Sequence, residues 1–190
     1  MNVREDYVFF PVPRVASASL NTALGYSTGG NIPIKVSSAP PKIYNHHYTI
    51  AFVRNPWDRL LSSFLWYRLQ KDQPYKVSAN FKTFVKSLKK DSETLFPNQM
   101  CSVNANPLMQ ISLFRPQTFY IDKNVDFVGK IESLNKDFML LCDKLGKQRS
   151  IPKKLRVTTH KPYESYYDST TARIVEELYH ADVDRFRYSY

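Results

Sequence analysis

Two short segments combine residue types that bind anions in proteins. The first covers residues 13–20, PRVASASL, in which small residues and hydroxyls follow the cation Arg14. Small side chains let backbone N–H groups approach a phosphate, and a planar guanidinium donates several hydrogen bonds to one anion. The segment resembles a phosphate-binding loop, although it lacks the GxxxxGK[ST] spacing of nucleotide triphosphatases. An ordinary helix start with a solvated arginine is the open alternative.

The second segment covers residues 51–64, AFVRNPWDRLLSSF, and carries Arg54 and Ser62 in the spacing RxxxxxxxS. Arg54 ends an apolar run, and Ser62 lies about two turns into the predicted helix, on the face turned back toward the strand. One anion could meet both side chains there. The alternative is that Arg54 only caps the strand and Ser62 only lies on a polar helix face. The spacing alone favours this alternative.

Both segments lie where a predicted strand passes into a predicted helix. Residues 7–12 and 49–53 are short apolar runs typical of buried strands. Asn55 suits a helix N-cap and Pro56 the first helical position, and Gly25 could end the earlier helix. Further strands are expected over 118–121 and 127–131, further helices over 81–88, 134–145 and 169–179, irregular structure over 91–116, and a basic loop over 150–162.

This alternation of strands and helices predicts an α/β fold with a mainly parallel sheet, as one domain over residues 1–190. In such sheets ligands bind at the carboxyl ends of the strands, which is where both segments lie. Cys142 falls on an apolar helical face and is expected to be a buried free thiol, whereas the state of Cys101 is left open. The sequence shows no cluster of metal ligands.

Composition limits the classes of partner. The net charge is +10, and 43% of the residues are apolar, which indicates a globular protein that favours polyanions. Nucleic acids, phosphorylated nucleotides, acidic glycans and acidic membrane surfaces all fit that charge. The chain lacks both an apolar run of about 20 residues and a signal peptide. We therefore expect a cytoplasmic protein, or a Golgi-lumen protein if the chain is a catalytic domain of a longer one.

The two segments together resemble those of the carbohydrate sulfotransferases, most closely the branch of heparan 2-O- and chondroitin/dermatan sulfotransferases. In that family a P-K-x-x-x-[ST]-S-like loop binds the 5′-phosphosulfate of 3′-phosphoadenosine 5′-phosphosulfate. An F-V-R-[ND]-P-x-x-R-x-x-S-like segment binds its 3′-phosphate. The resemblance continues in order through residues 114–121, 126–146 and 166–188.

The resemblance implies an enzyme with a P-loop NTPase-like three-layer α/β/α fold and no metal. It would move a sulfuryl group from this nucleotide to a hydroxyl of an acidic or neutral glycan. Arg54 and Ser62 would hold the 3′-phosphate, and the basic loop over 153–161 would close over the nucleotide. The residues implied for the 5′-phosphosulfate are Arg14, Val15, Ala16, Ser17, Ala18, Ser19 and Leu20.

Several positions depart from the family pattern. Arg14 stands where the family has Lys, and Ala18 where it often has Thr. Residues 34–42, IKVSSAPPK, lack the His that several relatives carry between the two motifs. His47 is the candidate base beside Arg14 in catalysis, although it precedes its strand and so lies at the end usually opposite a site. His160, in the basic loop, is a further candidate.

Other functions predict different behaviour. A weak or inactive relative would bind the nucleotide or an anionic glycan without turnover, and Arg14 and the missing His favour it. A basic nucleic-acid-binding domain suits the charge and the aromatic residues, yet no recognition motif is present, so we expect no nucleic-acid partner. The absent GK[ST] argues against a magnesium-dependent kinase.

Overall fold

The structure is a computed structural model that describes residues 2–3, 6–26, 47–71, 76–95, 113–121, 124–148, 152–153 and 160–190. Two compact units divide the chain. The first unit is Met1–Arg54 with Gln117–Val157, and the second is Asn55–Pro116 with Thr158–Tyr190. The single domain expected over residues 1–190 stays a prediction.

Along the chain, strands and helices alternate through most of the described residues. They form β1 (Asn2–Val3), β2 (Tyr7–Phe10), α1 (Ser17–Ala23), β3 (Tyr48–Val53), α2 (Pro56–Arg68), α3 (Phe81–Leu95), a 3₁₀ turn (Gln117–Phe119), β4 (Phe127–Lys130), α4 (Leu134–Lys144), a second 3₁₀ turn (Tyr163–Tyr166), α5 (Ser169–Leu178) and α6 (His180–Phe186).

A four-stranded sheet in the order β1-β2-β3-β4 forms the first unit, together with α1 and α4. β1 is antiparallel to β2, whereas β2, β3 and β4 are parallel to one another. The predicted α/β class with a mainly parallel sheet is confirmed, and it is consistent with the P-loop-like fold that the resemblance implies. Every residue of β2 and the last five of β3 are buried, as expected for parallel strands covered on both faces.

Two contacts fix the pairing of β3 with β4. At the start of the strands, the amide and hydroxyl of Thr49 donate to the Asp126 carboxylate at 2.8 and 2.6 Å. Further along, Phe52 pairs with Gly129 in the register. A Cβ at residue 129 would lie 2.3 Å from the Phe52 ring, so the close approach requires glycine there.

In the second unit, α2 begins as the sequence predicts. The Asn55 side chain accepts hydrogen bonds from the amides of Trp57 and Asp58 at 3.0 and 3.4 Å, and Pro56 is the first helical residue. The same amide group donates to the Tyr163 hydroxyl at 3.3 Å. Apolar side chains of α2 pack into a core shared with α3, α5 and the segment before the first 3₁₀ turn. The largest of its members are Trp57, Phe64, Tyr67, Phe81, Phe84, Phe114, Tyr167 and Tyr179.

Arg59 is a buried cation within this second unit. Its side chain is 1% exposed, and its guanidinium donates to the backbone oxygens of Leu113, at 3.3 Å, and of Arg115. The Ser63 hydroxyl also donates to the Leu113 oxygen at 3.0 Å, and the Tyr179 hydroxyl donates to the oxygen of the intervening residue, Phe114, at 2.7 Å. Side chains therefore bind three consecutive carbonyl groups of the segment over 113–115.

Several boundaries differ from the predictions. The strand expected over 118–121 is wrong, because the chain forms a 3₁₀ turn at Gln117–Phe119. α3 continues to Leu95, into the stretch from 91 that was expected to be irregular, and the sequence predicted neither β1 nor α6. Gly25, at φ 77°, follows α1 as expected, and Cys142 is buried. Residues 27–46, 96–112 and 154–159, with Cys101 and most of the predicted basic loop, lie outside the described residues.

Asp168 forms the N-cap of α5. Its carboxylate accepts hydrogen bonds from the amide and the hydroxyl of Thr171, both at 2.8 Å, and lies 3.3 Å from the Lys82 ammonium. The hydrogen bonds from Thr171, followed by the smaller effect of Lys82, lower the pKa of Asp168 from 3.8 to about 2. The carboxylate therefore stabilises the folded state above the unfolded pKa, and this contribution is lost as the pH falls toward about 2.

We expect Asp168→Ala to lower the urea midpoint at neutral pH. Because the lost interaction requires the charged carboxylate, the difference from the wild type is expected to shrink between pH 3.8 and about 2. Urea unfolding of both proteins across that range measures it. Asp184→Ala, at an exposed position of α6, is the control. An equal deficit for Asp168→Ala at pH 7 and pH 2 would contradict the assignment.

Candidate functional site

The carboxyl ends of β2 and β3 lie at one edge of the sheet, because the two strands are parallel. The loop that carries Arg14 follows β2, and Arg54 directly follows β3. The Arg54 guanidinium donates from Nη1 to the backbone oxygen of Arg14 at 3.4 Å, and both side chains are half-buried. Two of the predicted anion-binding residues, which are 40 positions apart in the sequence, are thus brought together.

The loop after β2 has an uncommon backbone conformation. Arg14 and Ala16 adopt φ of 63° and 45°, in the left-handed region, and Arg187 is the one other non-glycine residue of the described chain that does so. Such conformations cost about 1–3 kcal/mol each and cluster at ligand-binding sites. The Ser17 hydroxyl donates to the Val12 oxygen at 2.8 Å and fastens the loop. The strain and this bond indicate a loop with a defined shape.

The other predicted loop residues occupy different environments. Val15 and Leu20 are buried in the core, so only their backbone groups are available to a ligand. Ser17 uses its hydroxyl hydrogen on Val12, and Ser19 is 2% exposed. Ala18 is half-buried. The contacts of these residues with a nucleotide stay a prediction.

The electrostatics of this edge favour a bound anion. Burial, and secondarily the positive charge of Arg54, lower the pKa of Arg14 from 12.5 to about 10. Arg14 is therefore still charged at neutral pH, but its charged form is disfavoured by both effects. An anion beside the two guanidinium groups would favour the charged form of Arg14 and offset the repulsion from Arg54.

The side chain of Gln117 holds the backbone of Arg54, which the sequence did not indicate. Its Oε1 accepts from the Arg54 amide at 2.9 Å, and its Nε2 donates to the Arg54 oxygen at 2.8 Å. Gln117 is fully buried. No pattern in FRPQTFYI reveals this contact, because the two residues lie 63 positions apart.

Ser62 belongs to the second unit, where it lies on α2 and is 1% exposed. The first residues of its helix are capped by Asn55, which directly follows Arg54 in the chain. The expectation that one anion contacts both Arg54 and Ser62 stays a prediction.

The two candidate catalytic histidines lie in different places. His47 directly precedes β3, at the end of the strand opposite Arg54, and its Nδ1 has no hydrogen-bond partner among the described residues. Six residues of strand separate it from Arg54, so the two residues are seven steps, or about 23 Å, apart at about 3.3 Å per residue. This placement gives no support to the expected pairing of His47 with Arg14 in catalysis.

His160 lies in the second unit, beside the first turn of α2. Its Nε2 is 3.5 Å from the Asp58 carboxylate, and its Nδ1 is 2.7 Å from the Lys161 oxygen. Because a carbonyl oxygen only accepts hydrogen bonds, Nδ1 carries a hydrogen in this arrangement. The bond to the Lys161 oxygen orients the His160 ring, and the Asp58 carboxylate lies beside it.

No group of three or more His, Cys, Asp or Glu side chains in the described part of the chain could hold a metal ion. Among the helices that the structure describes, none is both long and apolar enough to span a membrane.

Residues 3–189 match the sulfotransferase family. Neither a curated protein nor a solved structure matches the chain significantly.

Proposed function

Because the chain belongs to the sulfotransferase family, and is thus a transferase of sulfuryl groups, we propose that its donor is 3′-phosphoadenosine 5′-phosphosulfate and its acceptor a carbohydrate hydroxyl. The observation that carries the proposal is the pair of cationic side chains at the carboxyl ends of β2 and β3. Arg54 Nη1 lies 3.4 Å from the backbone oxygen of Arg14, which supports one anion-binding site that includes both residues. A nucleotide with two separate phosphate positions suits two cations held in this way.

Each part of the donor has a proposed partner. Arg14 and the backbone amides of the strained loop bind the 5′-phosphosulfate, and Arg54 binds the 3′-phosphate together with Ser62. The planar fork of Arg54 can donate two parallel hydrogen bonds to a terminal phosphate. The net charge of +10 suits an acidic glycan as the acceptor.

The proposed reaction is an in-line displacement at sulfur. The acceptor oxygen forms a bond to sulfur while the bond from sulfur to the bridging phosphate oxygen breaks. 3′,5′-Bisphosphoadenosine leaves with that bonding electron pair, and the acceptor proton passes to a general base. Arg14 stabilises the negative charge that develops on the leaving phosphate.

The position of His47 predicts that this residue is not the general base of the reaction. Because His47 lies at the opposite edge of the sheet from Arg14, we expect His47→Ala to keep turnover within about twofold, whereas loss of a true general base costs about 10²–10⁴-fold. Initial rates of sulfate transfer from labelled donor measure it, with His160→Ala assayed beside it. A loss of the larger size in His47→Ala would show that His47 acts in the reaction.

Binding of the spent nucleotide tests the proposal most directly. 3′,5′-Bisphosphoadenosine at 100 times its dissociation constant should stabilise the protein by about 2.7 kcal/mol. Adenosine 5′-monophosphate at the same concentration is the control, because it lacks only the 3′-phosphate. No shift with either nucleotide, or equal shifts with both, would overturn the proposed donor.

A second candidate is a relative that binds the nucleotide without turnover. Arg14 favours it, because lysine is a compact charge that bridges donor and leaving oxygens, whereas the guanidinium does not reproduce that geometry. An assay for transfer of labelled sulfate to a panel of heparan, chondroitin and dermatan chains distinguishes an active sulfotransferase from this inactive relative. Selective binding of bisphosphoadenosine without any transfer would establish the inactive relative.

A further inference from the structure

We infer that Gln117 is a positioning residue that sets the selectivity of Arg54 for the 3′-phosphate. This inference rests on the proposed function. Gln117 does not touch the nucleotide in this scheme, because its amide is occupied on both sides by the backbone of Arg54. It acts through Arg54 by fixing the residue from which the guanidinium extends.

The sheet alone does not hold Arg54. The ladder between β3 and β4 ends where the amide of Ile131 donates to the Val53 oxygen at 2.9 Å. Arg54 is the next residue, and its amide and carbonyl are both bonded to the one Gln117 side chain, at 2.9 and 2.8 Å. The Gln117 side chain thus forms the hydrogen bonds with the backbone of Arg54 that a neighbouring strand would otherwise form.

A two-point attachment of this kind restricts both backbone dihedrals of Arg54. The Gln117 side chain itself is fully buried, so water does not readily replace it in either bond. Arg54 carries a long side chain, and a small rotation at its Cα moves the guanidinium by a large distance. Binding groups must be held within about 0.5 Å of the productive geometry for their full effect. Loss of the Gln117 contacts should therefore weaken recognition by Arg54 without removing its charge.

The test measures a ratio of dissociation constants, that of adenosine 5′-monophosphate divided by that of 3′,5′-bisphosphoadenosine. Gln117→Met keeps the length of the side chain and removes both hydrogen bonds. We expect it to lower the ratio about tenfold, while the affinity for adenosine 5′-monophosphate stays near that of the wild type. Gln117→Glu keeps an acceptor for the Arg54 amide but turns a carboxylate oxygen toward the Arg54 carbonyl, so it should lower the ratio as well.

Gln70→Met is the matched control. The Gln70 side chain also donates to a backbone oxygen, that of Trp66 at 3.1 Å, but it has no part in holding Arg54. We expect this variant to keep the wild-type ratio. If Gln117→Met does not fold, Gln117→Asn, which retains the amide on a shorter side chain, takes its place in the comparison.

A second background distinguishes positioning from a general loss of stability. In Arg54→Ala, the change Gln117→Met should have no further effect on the ratio, because the group that it positions is absent. If Gln117→Met lowers the melting temperature but leaves the ratio intact in the otherwise wild-type protein, the inference is overturned and the proposed donor stands. If the wild type itself does not distinguish the two nucleotides, the proposed function fails, and the inference with it.

Discussion

Arg54→Ala is expected to abolish the preference for 3′,5′-bisphosphoadenosine over adenosine 5′-monophosphate. A hydrogen bond to a charged group contributes about 1.5–3 kcal/mol, which corresponds to about 10- to 150-fold in the dissociation constant. Only the bisphosphate carries the group that Arg54 is proposed to bind, so only its affinity should fall. Isothermal titration calorimetry with both nucleotides measures the two constants separately.

Two further variants make this result specific to Arg54. Arg68→Ala removes an exposed guanidinium from the last turn of α2, where it lies 5.5 Å from the Phe64 ring, and should leave both affinities unchanged. Arg14→Ala should weaken both nucleotides, because the 5′-phosphate is common to them. An equal loss for both nucleotides in Arg54→Ala would contradict a 3′-phosphate pocket and would assign Arg54 to the shared 5′ side instead.

The elements that carry the candidate site could be predicted because their signals are local. Apolar runs indicated β2 and β3, and the Asn55–Pro56 pair indicated the start of α2 within one residue. Strand direction then placed Arg14 and Arg54 at one edge before any distance was known. The same rule placed His47 at the opposite edge, which is where the structure has it.

The support for Arg54 could not be predicted because it depends on contacts between distant residues. The stretch TFYI over 118–121 has the β-branched and aromatic composition of a strand. Instead, Gln117 starts a 3₁₀ turn, and its side chain bonds to the backbone of Arg54, the residue after β3. The composition indicated a strand over 118–121, but it did not show that the side chain of Gln117 would make the contact with Arg54 in place of a strand's backbone.

Arg59 illustrates a similar limit. It matches the second arginine of the family pattern F-V-R-[ND]-P-x-x-R-x-x-S, and charged residues are rarely fully buried. The structure buries it to 1% exposure against the oxygens of Leu113 and Arg115. No carboxylate in the described part of the chain lies within ion-pair distance of it. Carbonyl dipoles and the ring of Tyr179, 5.7 Å away, stabilise the charge instead.

This arrangement makes Arg59→Met the substitution with the largest expected effect on stability. A buried ion pair can often be replaced by apolar residues without loss, because both charges disappear together. Here the partners are partly buried backbone carbonyls, which remain whichever side chain replaces Arg59. The Arg115 oxygen would lose its Arg59 donor and the Leu113 oxygen would retain Ser63. Since a hydrogen bond that involves a charged group contributes about 1.5–3 kcal/mol, we expect a loss of about 1.5–3 kcal/mol in the free energy of unfolding.

Urea unfolding of a graded set of variants tests this account. Ser63→Ala removes one donor to the Leu113 oxygen, which Arg59 also binds, so its cost should be about 1 kcal/mol. Arg59→Lys keeps the charge but lacks the planar fork that reaches two carbonyls, and should lie between the wild type and Arg59→Met. If Arg59→Met were no less stable than Ser63→Ala, the three-carbonyl contact would not hold the segment over 113–115.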